Sequence, residues 1–222
     1  MHAEKEASWV DDVIDQRKIL PHYQPIVEAP KGEVPAIVGH EMLSRGRQDD
    51  GSLIAPFHLL EAARKRDRLF ALDRAYRITC VEHAGRIKDQ LIYINFIPTA
   101  IYVPEHCLAT TIHYIKKQNI RPENVVFEVV ESDEVKNIEH LKSILNYYKQ
   151  HGFQYALDDV GTGVNGLEKL AYLEPNIVKL AREYVDGGQR TRLSSTWPDL
   201  SCRWRARLAP GHWPKGWKEK RT

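Results

Sequence analysis

One carboxylate interrupts an otherwise apolar run in Val125-Val126-Phe127-Glu128-Val129-Val130. A stretch this rich in valine predicts a strand with both faces buried. An acid inside such a strand costs several kcal/mol of desolvation unless it finds a partner. The same break recurs along the chain. Asn95 stands near the end of Leu91-Ile92-Tyr93-Ile94-Asn95-Phe96, Asp158 ends the run from Phe153 to Leu157, and Lys179 lies within Ile177-Val178-Lys179-Leu180. One such residue ordinarily marks a strand end or a salt bridge. Four on successive strands point to a shared polar site at one end of a sheet.

Amphipathic segments separate these strands. Cys107 to Gln118 predicts a helix. Ser132 and Asp133 are placed to cap another, with Val135, Ile138, Leu141, Ile144, Leu145 and Tyr148 on one face and Gly152 at its end. A short helix is expected around Leu167 to Tyr172. Apolar strands alternating with such helices predict a parallel sheet covered by helices, and in barrels of this kind ligands bind at the C-terminal ends of the strands. Upstream, Ser8 is a candidate N-cap for a helix from Trp9 to about Lys18. Tyr23 to Val27 and Pro35 to Val38 flank the turn Ala29-Pro30-Lys31-Gly32 and predict a hairpin. Pro56 then opens helical sequence carrying Phe57, Leu59, Leu60 and Ala63, followed by Leu69, Leu72, Ala75, Tyr76 and Thr79.

Composition excludes several classes. No apolar run approaches the ~20 residues of a membrane span. The N-terminus, Met1-His2-Ala3-Glu4-Lys5-Glu6, is charged and lacks the apolar core of a signal peptide. Cys80, Cys107 and Cys202 are widely spaced and read as thiols of a reducing cytoplasm. The ten histidines form no zinc-binding spacing. Net charge +2 conceals a split: residues 188–222 hold nine Lys/Arg against Asp199 and Glu219. This segment also carries four of the five tryptophans and three prolines, with no strand or helical period. Neither a nucleic-acid motif nor a membrane-surface helix accompanies it.

The stretch Ala156-Leu157-Asp158-Asp159-Val160-Gly161-Thr162-Gly163 sets two carboxylates at a strand end before a glycine-bearing loop. That suits a divalent-cation site, an acid/base pair or a solvated turn. With Glu41, Asn95 and Glu128, the set is one of hard oxygen donors, which fit Mg²⁺ or Mn²⁺. Lys179 could orient a water or neutralise charge developing on a phosphate. Glu41 and Arg45, four residues apart, could add a metal ligand and a phosphate contact.

In their order and spacing, Glu41-Met42-Leu43 with Arg45, Asn95-Phe96, Phe127-Glu128-Val129-Val130-Glu131, Asp158-Asp159-Val160-Gly161-Thr162-Gly163 and Lys179 resemble the motifs of EAL domains, bacterial phosphodiesterases specific for cyclic di-GMP. The resemblance covers about Tyr23 to Gly187. It implies an α/β fold: a TIM-like (β/α) barrel of EAL type with one antiparallel strand. It also implies hydrolysis of one phosphodiester bond to linear pGpG with two Mg²⁺ or Mn²⁺ ions. Carried over by position, Glu41, Asn95, Glu128 and Asp158 would bind the first metal, and Asp158 with Asp159 the second. Lys179 would hold the nucleophilic water, Glu131 would brace the loop after Asp158, and Gln24 and Arg45 would contact the nucleotide and its phosphate. Members of the family often form homodimers.

Departures set further expectations. Met42 stands where the family has Ala, Val160 where Phe is usual, Asn165-Gly166 for a Ser-Ser pair, and Ala181 for an Asp. No Glu-x-Val-Glu or late Gln-Gly motif follows Gly187. The division expected is a helical lead-in over 1–20, an EAL-type domain over 21–187 and an unrelated basic tail over 188–222. The barrel is then incomplete at its C-terminal end, with weak or absent turnover. The alternative is a non-catalytic module binding cyclic di-GMP or a protein partner.

Overall fold

A computed structural model describes residues 7–28, 34–130, 137–161 and 166–181. The chain opens with α1 (Trp9–Asp15), which buries Val10, Val13 and Ile14, and passes into β1 (Ile19–Glu28) and β2 (Ala36–Arg47). A short β3 (Leu53–Ile54) pairs with the end of β2. Helices α2 (Pro56–Lys65) and α3 (Leu69–Ala84) follow, then β4 (Leu91–Asn95) and α4 (Pro104–Lys117). The remaining elements are β5 (Val125–Val130), α5 (Ile138–Gln150), β6 (Gln154–Val160), α6 (Gly166–Leu173) and β7 (Ile177–Leu180).

These strands form one sheet in the order β1-β2-β4-β5-β6-β7. Only β1 and β3 run antiparallel to their neighbour β2; every pairing from β2 to β7 is parallel. Four strand steps separate β2 from β7, about 19 Å in a flat sheet at ~4.8 Å per step. Yet Lys179 Nζ on β7 lies 3.2 Å from Glu41 Oε2 on β2. The sheet must therefore curl into a barrel wall, with these side chains inside.

Strand alternation divides the apolar residues between two faces. Tyr93, Val126, Ala156 and Ile177 pack inside the curl, while Ile92, Ile94, Phe127, Val129, Tyr155 and Leu157 face the helices. Tyr148 of α5 packs its ring 4.5 Å from that of Phe127, and Phe96 and Phe153 close around the same ring at 6.1 and 5.4 Å. A second cluster joins α1, α2 and α3 through Val10, Val13, Leu59, Ala63 and Leu72. Asp11 of α1 binds Arg66 and Arg68 at 2.7 and 3.1 Å. The N-terminal helix thus packs in one body with the helices that follow β3. Among the described residues no helix is long and apolar enough to cross a membrane.

Three expectations need correction. The first helix stops at Asp15, short of Lys18. The strand predicted over Pro35–Val38 continues to Arg47, so Glu41 and Arg45 sit on one strand face at even spacing. The helix after β5 starts at Ile138, where Asn137 Oδ1 accepts the N–H of His140. Ser132, Asp133 and Val135 lie outside the described residues.

Tyr148 is fully buried, and its hydroxyl has no hydrogen-bond partner among the described residues. Removing an unpaired buried hydroxyl relieves a desolvation cost, whereas emptying the ring position of Phe127 leaves a cavity. Tyr148→Phe should leave stability unchanged or raise it by up to ~1 kcal/mol. Phe127→Ala should lower it by roughly 3–5 kcal/mol. Urea unfolding of the two variants beside the parent checks both, and a costly Tyr148→Phe would refute the packing described.

Candidate metal centre

The inward positions at the C-terminal ends of the parallel strands are polar. Register places Gln24 opposite Glu41, Glu41 beside Tyr93, and Asn95 beside Glu128. Asp158 neighbours Val130, and Leu157↔Val178 sets the Asp158 and Lys179 positions one step further on. Five strands, β2, β4, β5, β6 and β7, thereby set one polar side chain each around a common point.

Lys179 Nζ occupies that point. It donates to Glu128 Oε1 at 2.5 Å, Asp158 Oδ2 at 3.0 Å and Glu41 Oε2 at 3.2 Å. Asn95 Nδ2 donates to Glu41 Oε1 at 3.3 Å. Lys179 and the three acids are all buried, Glu128 completely. Burial drives the Glu128 carboxyl well above the usual carboxylate range, and Glu41 and Asp158 push it the same way against the pull of Lys179. For Lys179, burial acts to lower the ammonium, but Glu128, Asp158 and Glu41 together outweigh it and raise it. One cation shared among three acids leaves surplus negative charge in a dry setting.

That surplus suits a cation. Oxygens of Glu41, Glu128 and Asp158 lie within 4.8 Å of one another. Glu128 Oε2 is buried without a hydrogen-bond partner among the described residues, an oxygen left over by their bonding. With the Asn95 amide beside them, the donors are all oxygen-bearing and hard, which fits a hard divalent cation.

The remaining expected residues fall into three groups. Asp159 adopts φ +53°, the left-handed region that Asp tolerates better than most residues. Its N–H donates to Asp158 Oδ1 at 3.0 Å. The register shifts between Leu157 and Val160, so the acid pair sits on an irregularity, and the group of three carboxylates does not include Asp159. Gln24 and Arg45 lie half-buried on β1 and β2, with Arg45 Nη1 donating to the carbonyl of Ser44 at 3.0 Å. Glu131, like Thr162 and Gly163, lies outside the described residues.

Two charged residues escaped the reading of the sequence. Asp73 and Arg77 of α3 are 1% and 0% exposed and pair at 2.8 Å. Their i,i+4 spacing reads as a surface pair; the signal was their place among Leu72, Ala75 and Ile78 on a buried face.

Comparison with known proteins gives this arrangement a family. The profile of the EAL domain matches residues 7–197, a span that takes in the N-terminal helix and passes Gly187. The probable cyclic di-GMP phosphodiesterase PdeG of Escherichia coli K12 is 30% identical over 180 residues, which are 78% of this chain and 34% of PdeG. The chain spans about a third of the length of the curated relatives it matches. A standalone versatile EAL protein from Vibrio cholerae O395, solved with c-di-GMP bound, is similar at 33% identity and a TM-score of 0.63. The likeness covers 76% of this chain and 68% of that one. Klebsiella pneumoniae BlrP1, solved with manganese and cyclic di-GMP, shares the fold at 21% identity and a TM-score of 0.61, over 75% of this chain and 45% of that one.

Lys179→Met tests the electrostatics directly. It removes the ammonium that three buried carboxylates share, so the metal-free protein should lose ~3–5 kcal/mol at neutral pH. Added Mn²⁺ should raise the melting temperature of this variant more than that of the parent, since binding to the folded state alone stabilises by mass action. Equal Mn²⁺ shifts, or an undiminished stability in EDTA, would contradict the arrangement.

Proposed function

The chain belongs to the EAL domain family and has its TIM-like barrel, and on that premise we propose that it binds cyclic di-GMP at the ends of β2, β4, β5, β6 and β7 and hydrolyses one of its phosphodiester bonds. The observation that carries the proposal is the convergence of Glu41, Glu128 and Asp158 on Lys179 Nζ at 2.5–3.2 Å, with Asn95 bonded to Glu41. The names of PdeG and of the Vibrio cholerae structure supply the substrate class.

In this reading Glu41, Asn95, Glu128 and Asp158 would hold one divalent ion, and Asp158 with Asp159 a second. Bound Mg²⁺ or Mn²⁺ supplies Lewis acidity and a nucleophilic water at neutral pH. The chain's own groups do the rest. Lys179 donates hydrogen bonds from Nζ and accepts none while charged, so it suits a water oxygen or a phosphoryl oxygen that gains negative charge. Gln24, opposite Glu41 in the strand pairing, presents an amide that can bond a nucleotide edge. Arg45 offers a guanidinium for a phosphate. The apolar barrel interior beneath, formed by Tyr93, Val126, Ala156 and Ile177, keeps bulk water from the buried carboxylates and strengthens each charge contact above it.

A second reading has its own support. Ala181, two residues past Lys179, stands where the motif that this stretch resembles carries Asp, so one acid of that motif is replaced by an apolar residue. In that reading the same site binds the nucleotide without cleaving it.

Incubation with cyclic di-GMP and Mn²⁺, followed by chromatography, separates the two. A phosphodiesterase should release linear pGpG, lose activity in EDTA, and fall at least ~10²-fold on Asp158→Asn. Binding without product in the parent would select the receptor reading. A protein that neither binds nor cleaves the nucleotide would refute both.

A further inference from the structure

Behind the site, a buried polar strut ties the peptide that follows Asn95 to two helices. Asp73 Oδ1 accepts the N–H of Ile97 at 2.9 Å. The other oxygen of Asp73 accepts from Arg77 Nε at 2.8 Å. Arg77 Nη1 in turn donates to Thr111 Oγ1 at 2.5 Å and to the carbonyl of Cys107 at 3.1 Å, both on α4. One residue nearer the site, Phe96 N–H donates to the carbonyl of Glu128 at 3.2 Å. Farther along, the carbonyl of Ile101 accepts from His140 Nε2 of α5 at 2.7 Å.

A salt bridge of this burial is a poor stability device. Apolar residues of similar volume commonly serve as well or better. What they cannot do is accept the Ile97 N–H. That bond fixes the backbone two residues beyond Asn95, whose side chain reaches Glu41. A residue on a helix outside the barrel thereby limits how Asn95 can move inside it.

We propose that Asp73 is a positioning residue for the candidate metal centre: through the Ile97 N–H it sets the Asn95 amide against Glu41, with Arg77, one turn along α3 and itself bonded to α4, holding the Asp73 carboxylate in place. The part concerning metal rests on the functional reading above; the part concerning Asn95 does not. Partners behind a metal's ligands, when lost, commonly lower affinity 10–100-fold.

Two matched double variants test it. Asp73→Leu with Arg77→Met removes both charges and the acceptor. Asp73→Asn with Arg77→Met removes both charges but keeps an acceptor oxygen for Ile97. The readouts are the Asn95 side-chain NH₂ resonances in metal-free protein and Mn²⁺ affinity by electron paramagnetic resonance. The Leu variant should displace the Asn95 resonances and weaken Mn²⁺ binding by about 10-fold or more. The Asn variant should keep both close to the parent. Identical Asn95 resonances in all three proteins would overturn the proposal, as would equal Mn²⁺ affinities. If the parent binds no Mn²⁺, the metal-centre reading fails, and the Asn95 resonances alone decide the positioning role. Should either variant fail to fold, hydrogen exchange of the parent decides: strong protection of the Ile97 amide supports the tether, and exchange at an unprotected rate overturns it.

Discussion

The arrangement depends on one ammonium group held by three carboxylates in a dry interior. Lys179 on β7 can meet Glu41 on β2 only if the strands between them curl the sheet. It can meet Glu128 and Asp158 only if β5 and β6 are in the register observed. A slip of one residue would send each acid to the helix-facing side and an apolar neighbour inward. Burial makes such errors expensive, because an unpaired charge there costs several kcal/mol. The polar cluster therefore does more than prepare a site. It specifies the register and curvature that the apolar residues alone would leave less defined.

The same alternation explains why the site was legible in the sequence. In Asn95-Phe96 and Phe127-Glu128, each inward polar group adjoins an outward aromatic ring, and the rings pack together behind the wall at 6.1 Å. A polar residue between two core residues has few explanations, and four in successive apolar strands have fewer. Asn95, Glu128, Asp158 and Lys179 stand out on that ground, whereas Glu41 enters as a further oxygen donor through its motif; the structure brings all five together. The strand–helix alternation from Leu91 onward was legible for a similar reason: short apolar runs and amphipathic helices alternate without ambiguity.

Other features depend on information that no short window carries. The extension of β2 to Arg47 arises from its pairing with β1, where Ile19↔Gly46 and Leu20↔Arg45 continue the ladder beyond the apolar run. Nothing local in Leu43-Ser44-Arg45 announces it. The helix after β5 begins at Ile138 because Asn137 supplies the cap, a residue no better than Ser132 or Asp133 by type. The left-handed Asp159 is likewise allowed by its side chain but imposed by the register shift between Leu157 and Val160. Asp73 and Arg77 have the spacing of a solvated pair, and only the docking of α4 on α3 makes them buried.

That last pair bears on how a barrel of this kind keeps a polar site in order. The ligand-bearing strands end where regular pairing ends, so each functional side chain sits one or two residues from irregular backbone. Strand hydrogen bonds hold Asn95 from below, and the Phe96 N–H extends that hold by one residue. Beyond Phe96 the peptide leaves the sheet, and an N–H without a partner would be either strained or wet. Asp73 supplies the partner from the helix layer, and Arg77 and Thr111 supply the partner's partners. The charge inside the helix layer is thus explained by geometry at the strand end rather than by stability. A helix face built mainly from Leu72, Ala75, Ile78, Val81 and Ala84 carries one carboxylate where the backbone it covers has an N–H to satisfy, and Arg77 beside it to hold that carboxylate.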